Sequence, residues 1–295
     1  MLPDTLEERY QLVLERIDRA AKKTGRKASD LILVAVTKYA DPEQIKTLLR
    51  LGHRDFGENR VQVLAQHASI VEEFLTRQRM LSSSRRVSTN AAAEMLFPVG
   101  PEVDLKPNGN TPASSAGVRW HMIGHLQRNK AKKCIEFIRL THSVDSLRIA
   151  EELQTLALKR DATFEVLLQI NVAGEDQKYG CPLPAAIPMA EQISSMMNLR
   201  LRGVMCMAPH SENPEDSRLT FARCREAFEE VRTSGAVDPA PFNILSMGMS
   251  NDFEVAISEG ANVVRVGSAI FGEQPTIEEP AEPNDPAEPD DAESV

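Results

Sequence analysis

Lys38 is the residue with the clearest chemical potential. It stands two residues past the apolar run Leu31–Val36 and just before Asp41-Pro42. A lysine set against apolar neighbours has its ammonium form disfavoured by desolvation. The neutral amine can then form a Schiff base with an aldehyde. The plain alternative is an ordinary strand-end lysine that snorkels into solvent. Near the other end of the chain, two clusters of small residues precede helices: Ser246-Met-Gly-Met-Ser-Asn-Asp252 and Arg265-Val-Gly-Ser268. Such turns let backbone N–H groups converge on an anion. Tight turns also need Gly and Ser for backbone reasons alone. An amine and two anion loops, if the fold joins them, make a pocket for a phosphorylated aldehyde.

Other reactive side chains read as structural. His121 and His125 form a His-x₃-His pair, but one falls in a strand and the other in the following turn, with no acidic third ligand near in sequence, so no metal site is expected. Trp120, the only tryptophan, suits core packing. Lys130, Lys132 and Lys133 form a small basic face of the kind that usually stays solvated. Cys134, Cys181, Cys206 and Cys224 are widely spaced, which argues against a zinc site or a disulfide framework and for a reducing cytoplasm.

The elements that must position these groups alternate regularly. A first helix carries Leu6, Tyr10, Val13, Leu14 and Ile17 at helical spacing and ends at Gly25. Strands are expected at 31–36, 53–56, 118–123, 137–143, 164–171, 201–207, 242–246 and 262–266, each followed by a helix or a helical turn. The Leu31–Val36 run, apolar and rich in β-branched residues, suits a strand buried on both faces. Asp41 and Pro42 suit N-cap and N1 of the next helix, and Asp145 is expected to cap the helix carrying Leu147, Ala150, Leu153 and Ala157. Eight βα units favour a (β/α)₈ barrel, with an open doubly wound sheet as the alternative. A barrel would place active groups at the C-terminal strand ends and set the first and eighth strands side by side.

Two stretches fall outside the alternation. Residues 78–117, rich in Ser, Asn, Pro and Ala, read as an insertion, partly disordered, between the second helix of the alternation and the third strand. Residues 275–295 hold eight acidic residues, five prolines and no Lys or Arg, and read as a disordered tail after a barrel spanning 1–274. The tail carries −8 of the formal charge of −9, so the body is near neutral and no basic nucleic-acid surface is expected. No apolar run reaches the ~20 residues that a membrane helix needs.

Within a closed barrel, the phosphorylated aldehyde that fits best is pyridoxal 5′-phosphate. Arg265 would then point into the barrel mouth and donate to the pyridine nitrogen. A permanently charged donor there keeps that nitrogen unprotonated, which weakens the ring as an electron sink. The stretches VAVTKYADPEQIKTLLRLGHRDFGENRVQ, WHMIGHLQRNKAKK and LSMGMSNDFEVAISEGANVVRVGSAIFGE, with HSVDSLRIAEEL, INVAGEDQKYGC and LRGVMCMAP between them, run in the order of a known family. The chain resembles the pyridoxal phosphate homeostasis proteins, relatives of the alanine racemase N-terminal barrel. The resemblance covers nearly all of 31–273. It implies a single barrel of the fold-type III pyridoxal phosphate class with an extra N-terminal helix, and the cofactor on Lys38. It also implies Asn59 near the cofactor, phosphate contacts from Ser246, Ser250, Gly267 and Ser268, and a ring-nitrogen contact from Arg265. The insertion and the tail depart from the family pattern without touching a cofactor motif.

The leading function is therefore a cofactor carrier and regulator without catalytic turnover, which buffers pyridoxal phosphate and delivers it to apo-enzymes. The expected chain is a cytoplasmic monomer. An amino-acid racemase is the alternative; it needs a second base, and the only tyrosines are Tyr10, Tyr39 and Tyr179. Tyr39 should point away from Lys38 if strand geometry continues, and Tyr179 stays open as the base. A Schiff-base aldolase using Lys38 without a cofactor is the third reading.

Overall fold

The computed structural model describes residues 5–85, 117–174 and 179–272. Eight parallel strands form the centre: β1 Ile32–Val36, β2 Asp55–Glu58, β3 Arg119–Met122, β4 Ile138–Val144, β5 Phe164–Asn171, β6 Leu199–Met205, β7 Ile244–Ser246 and β8 Val263–Val266. Each pairs with its successor, and β8 returns to β1 with Val34 opposite Arg265 and Ala35 opposite Val266. The sheet is thus a closed barrel, which decides against the open sheet. Residues Cys181–Pro182 add a short pairing outside the last turn of β5.

The helices that cover it are α2 Pro42–Arg50, α3 Val61–Arg85, α4 Arg128–Cys134, α5 Leu147–Lys159, α6 Ala186–Ser194, α7 Arg218–Thr233, α8 Phe253–Ser258 and α9 Ser268–Phe271. The extra helix α1, Leu6–Lys23, begins with a capping box in which Thr5 and Glu8 exchange side-chain and backbone bonds at 3.2 Å. It buries Tyr10, Val13 and Ile17 and packs against α8 and α9. Arg9 Nε donates to the carbonyl of Ile270 at 2.9 Å, and Arg16 pairs with Glu254 at 2.8 Å. At α2, Asp41 is the N-cap, with its carboxylate on the Gln44 N–H at 2.9 Å and Pro42 in the first turn, as its residue types dictate.

The second strand lies at Asp55–Glu58 rather than 53–56, and at helix ends the residue pattern and the structure differ in two places. Helix α3 runs to Arg85, so residues 78–85 continue it rather than opening the insertion. No Gly or Pro occurs between Val61 and Phe97, and nothing local stops the helix. The remainder of the insertion up to Ala116, and the acidic tail, lie outside the described residues. The second difference is at α5, where Ser146 is the N-cap position. Asp145 instead accepts from His125 Nδ1 at 3.0 Å, because the pairing of β3 with β4 brings the loop after β3 beside the loop after β4.

Most of the core lies between barrel and helices. The barrel interior has its own small apolar cluster of Leu140, Leu167 and Met205, with Met207 and Ile244 against it. The buried polar side chains of His121, His142, Ser246 and Arg265 lie in the interior as well. Among the described residues no helix is long and apolar enough to cross a membrane.

Candidate functional site

Because every strand is parallel, all C-terminal strand ends open on one face of the barrel. Lys38 follows β1 there and Asn59 follows β2. Ala35 pairs with Phe56 and Val36 with Gly57, so Lys38 and Asn59 leave neighbouring strands side by side. Thr37, fully buried, fixes the turn before Lys38: its N–H donates to the Gly57 carbonyl at 2.9 Å and its hydroxyl donates to Glu58. Glu58 also takes His67 Nδ1 at 2.9 Å. Lys38 itself is exposed, with Nζ 4.4 Å from the centroid of the Tyr39 ring. The fold therefore leaves Lys38 facing solvent rather than shut away from it. Tyr39 does not point away, because strand geometry ends at Val36 and the chain turns. Asn59 is held from the β3 side: a Cβ on Gly124 would lie 2.2 Å from the Asn59 carbonyl oxygen, so only glycine fits.

The two small-residue loops meet beside this pair. Ser250, after β7, accepts the N–H of Gly267 at 3.1 Å and of Ala269 at 3.3 Å, which joins it to the start of α9 after β8. The Arg265 N–H donates to the Gly248 carbonyl at 3.0 Å. Gly248 has φ +93°, and a Cβ there would lie 2.6 Å from the Ala256 methyl. Gly267 half-faces the mouth and Ser268 is exposed. A Cβ on Gly267 would touch Val36 at 3.4 Å, so this glycine lets the exit of β8 pass close against the end of β1.

Arg265 is only 3% exposed. It enters the barrel interior, where Nη1 donates to Ser246 Oγ at 2.6 Å and Nη2 to the Cys206 carbonyl at 3.0 Å. Burial lowers its pKa from the ordinary arginine value. Ser246, at the last position of β7, is fully buried, and its hydroxyl is engaged by Arg265 and by His142 Nδ1 at 2.9 Å. The structure therefore gathers Lys38, Asn59, Ser250, Gly267 and Ser268 at the mouth, and sets Ser246 and Arg265 beneath them.

The rim opposite carries residues from β3, β4 and β5. The rings of His125 and Tyr179 stack with centroids 3.9 Å apart, and His125 is the partner of Asp145. Tyr10 is remote from the mouth, buried against His53. His121 is interior and bonds Asp55 and His142, so the two histidines of the His-x₃-His pair face different partners. Among the described residues no cluster of three or more His, Cys, Asp or Glu suits a metal. His142 and Asp55 were not singled out in the residue pattern, and Asp145 was read only as a helix cap. Each becomes a neighbour of the site through strand pairing, for which no local spacing gives a signal.

The chain is similar to known proteins over nearly its whole length. The family model of the alanine racemase N-terminal domain matches residues 14–275. Over 271 residues the chain is 34% identical to a pyridoxal phosphate homeostasis protein of Aquifex aeolicus, covering 90% of this chain and 97% of the relative. A crystal structure of an unknown protein from Bifidobacterium adolescentis matches with a TM-score of 0.71 at 32% identity, covering 92% and 98% of the two chains. PipY of Synechococcus elongatus, solved with PLP bound, matches with a TM-score of 0.60 at 27% identity, covering 87% and 100%. The chain therefore belongs to the alanine racemase N-terminal domain family and, within it, to the family of pyridoxal phosphate homeostasis proteins.

Proposed function

We propose that this protein holds pyridoxal 5′-phosphate at the barrel mouth and serves its homeostasis as a carrier and regulator rather than as an enzyme. The observation that carries the reading is the β8–β1 closure, with Val34 opposite Arg265. It sets the strand end of Lys38 beside the Ser250–Gly267–Ser268 loops. Its support from relatives is twofold: those of similar length bear the homeostasis name, and PipY was solved with PLP bound.

When bound, the cofactor supplies an aldehyde carbon that amines attack and a ring that can take up electrons. Lys38 would hold the aldehyde carbon covalently. The loops carrying Ser250, Gly267 and Ser268 would hold the phosphate, with Ser246 below them, and Asn59 would line the side next to Lys38. Arg265 would donate to the ring nitrogen, and as a permanent cation it has no proton to give up, so it leaves that nitrogen unprotonated. That choice suits storage over carbanion chemistry. The exposure of Lys38 leaves it open to solvent and to other amines. Apo-enzymes that need the cofactor are the recipients in this reading, and the carrier acts as a monomer in the cytoplasm.

The test is an absorption spectrum of the purified protein before and after borohydride, with peptide mapping of the reduced adduct. The label is expected on Lys38 and is expected to vanish in Lys38→Ala. A label on another lysine, or no visible band on protein supplied with pyridoxal phosphate, defeats the reading.

A further inference from the structure

A chain of buried polar side chains crosses the barrel interior beneath the mouth. Arg265 Nη1 meets Ser246 Oγ at 2.6 Å, and Ser246 Oγ meets His142 Nδ1 at 2.9 Å. His142 Nε2 meets His121 Nδ1 at 2.9 Å, and His121 Nε2 meets Asp55 Oδ1 at 3.2 Å. Asp55 is gripped from its far side by Arg119, with Nε on Oδ1 at 2.6 Å and Nη2 on Oδ2 at 2.5 Å. The links come from β8, β7, β4, β3 and β2, so only barrel closure assembles them.

With both imidazoles neutral, the two ends decide the direction of every bond between them. A guanidinium can only donate and an ionised carboxylate can only accept. Ser246 therefore accepts from Arg265 and donates to His142 Nδ1. His142 donates from Nε2 to His121, and His121 donates from Nε2 to Asp55. Each ring is then filled once as donor and once as acceptor, with its proton on Nε2. Burial first, with the nearby Arg265, pushes the His142 pKa well below the ordinary value. Burial alone would raise the Asp55 pKa, but hydrogen bonds from His121 and Arg119 outweigh it and hold the carboxyl well below the usual range.

The direct partners of Arg265 are a hydroxyl and a carbonyl, not a carboxylate. We propose that Ser246, His142 and His121 are positioning residues for Arg265, a one-way hydrogen-bond relay to Asp55 that fixes the guanidinium in a single orientation under the barrel mouth. The proposal rests on the reading of Arg265 as the ring-nitrogen contact, and it gives Ser246 a role through Arg265.

Two measurements test it. On cofactor-free protein at pH 7.5, nitrogen-15 spectra of the histidine side chains are expected to show His142 and His121 both neutral and protonated on Nε2. A proton on Nδ1 of either ring overturns the relay. The second measurement titrates pyridoxal phosphate into Ser246→Ala and His142→Gln. Affinity is expected to fall about tenfold, the worth of one charge-assisted hydrogen bond, and the visible band of the bound cofactor is expected to move. Near-ultraviolet circular dichroism should match the parent. Unchanged affinity and an unmoved band in Ser246→Ala overturn the positioning role, and this small substitution decides alone if His142→Gln does not fold. If the unsubstituted protein takes up no pyridoxal phosphate, the reading of the mouth fails, while the tautomers still decide whether the relay exists.

Discussion

A buried histidine behaves as a different group from an exposed one, and His53 illustrates the difference. Its Nε2–H donates to the Asp55 carbonyl at 2.7 Å, and its Nδ1 accepts the Tyr10 hydroxyl at 3.1 Å. Burial lowers its pKa from 6.5 to about 4. The unfolded chain therefore binds the proton at a pH where the folded chain does not. The stability is fully present above pH ~6.5 and is lost as pH falls toward ~4, a change on the order of 3 kcal/mol. Urea midpoints measured across that window are expected to fall steadily toward acid. His53→Gln should be less stable at pH 7 and show a shallower acid slope; an unchanged slope would remove His53 from the account. The thiols show the same effect with opposite charge bookkeeping, since burial pushes Cys134 and Cys181 up to about 12 and keeps them unreactive. Lys38 is the contrast at this scale: its position was legible from the residues around it, but its exposure depended on where β1 ends.

At the scale of elements, the most legible strands were short continuous apolar runs of the kind that parallel strands covered on both faces make, whereas the second, expected at 53–56, lies at Asp55–Glu58. Strands such as Ile32–Val36 and Val263–Val266 need no partner information to be found. Helix ends were less legible. The apolar stripe of α3 stops before its backbone does, and Asp145 has a better partner in His125 than in its own helix. The loop after β7 carries the sharpest local demand. Gly248 combines φ +93° with a Cβ position 2.8 Å from the Phe253 Cα, so a side chain is refused by both backbone and neighbours. Gly248→Ala is expected to cost about 1–3 kcal/mol and to lower Tm by roughly 5 °C. Because the Gly248 carbonyl receives the Arg265 N–H, pyridoxal phosphate retention after gel filtration should drop with it. Full retention in a variant with lowered Tm would separate this loop from the cofactor site.

The whole molecule closes before its acidic end. β8 pairs with β1 and α9 finishes at Phe271, so closure does not use residues 275–295. Removing those residues changes the formal charge from −9 to −1. The truncated chain is expected to leave an anion exchanger at much lower salt while Tm and bound cofactor stay the same; a lost cofactor band would tie the tail to the site. Incubated with single-enantiomer alanine or serine, the loaded protein is expected to racemise no faster than free pyridoxal phosphate. A faster rate that disappears in Tyr179→Phe would make the Tyr179–His125 rim a base and the protein a racemase. From its residues alone the chain determined the eight βα units, the amine at Lys38, the small-residue loops at 246–252 and 265–268, and the family. These are local, carried by composition and spacing that need only neighbours in sequence. Tertiary structure decided that the sheet closes, that Lys38 is exposed and that Asp145 serves His125. It also decided that Arg265, Ser246, His142, His121 and Asp55 form one line. Those facts depend on which strands far apart in the chain come to lie side by side, and the spacing of residues along one strand does not name its neighbour.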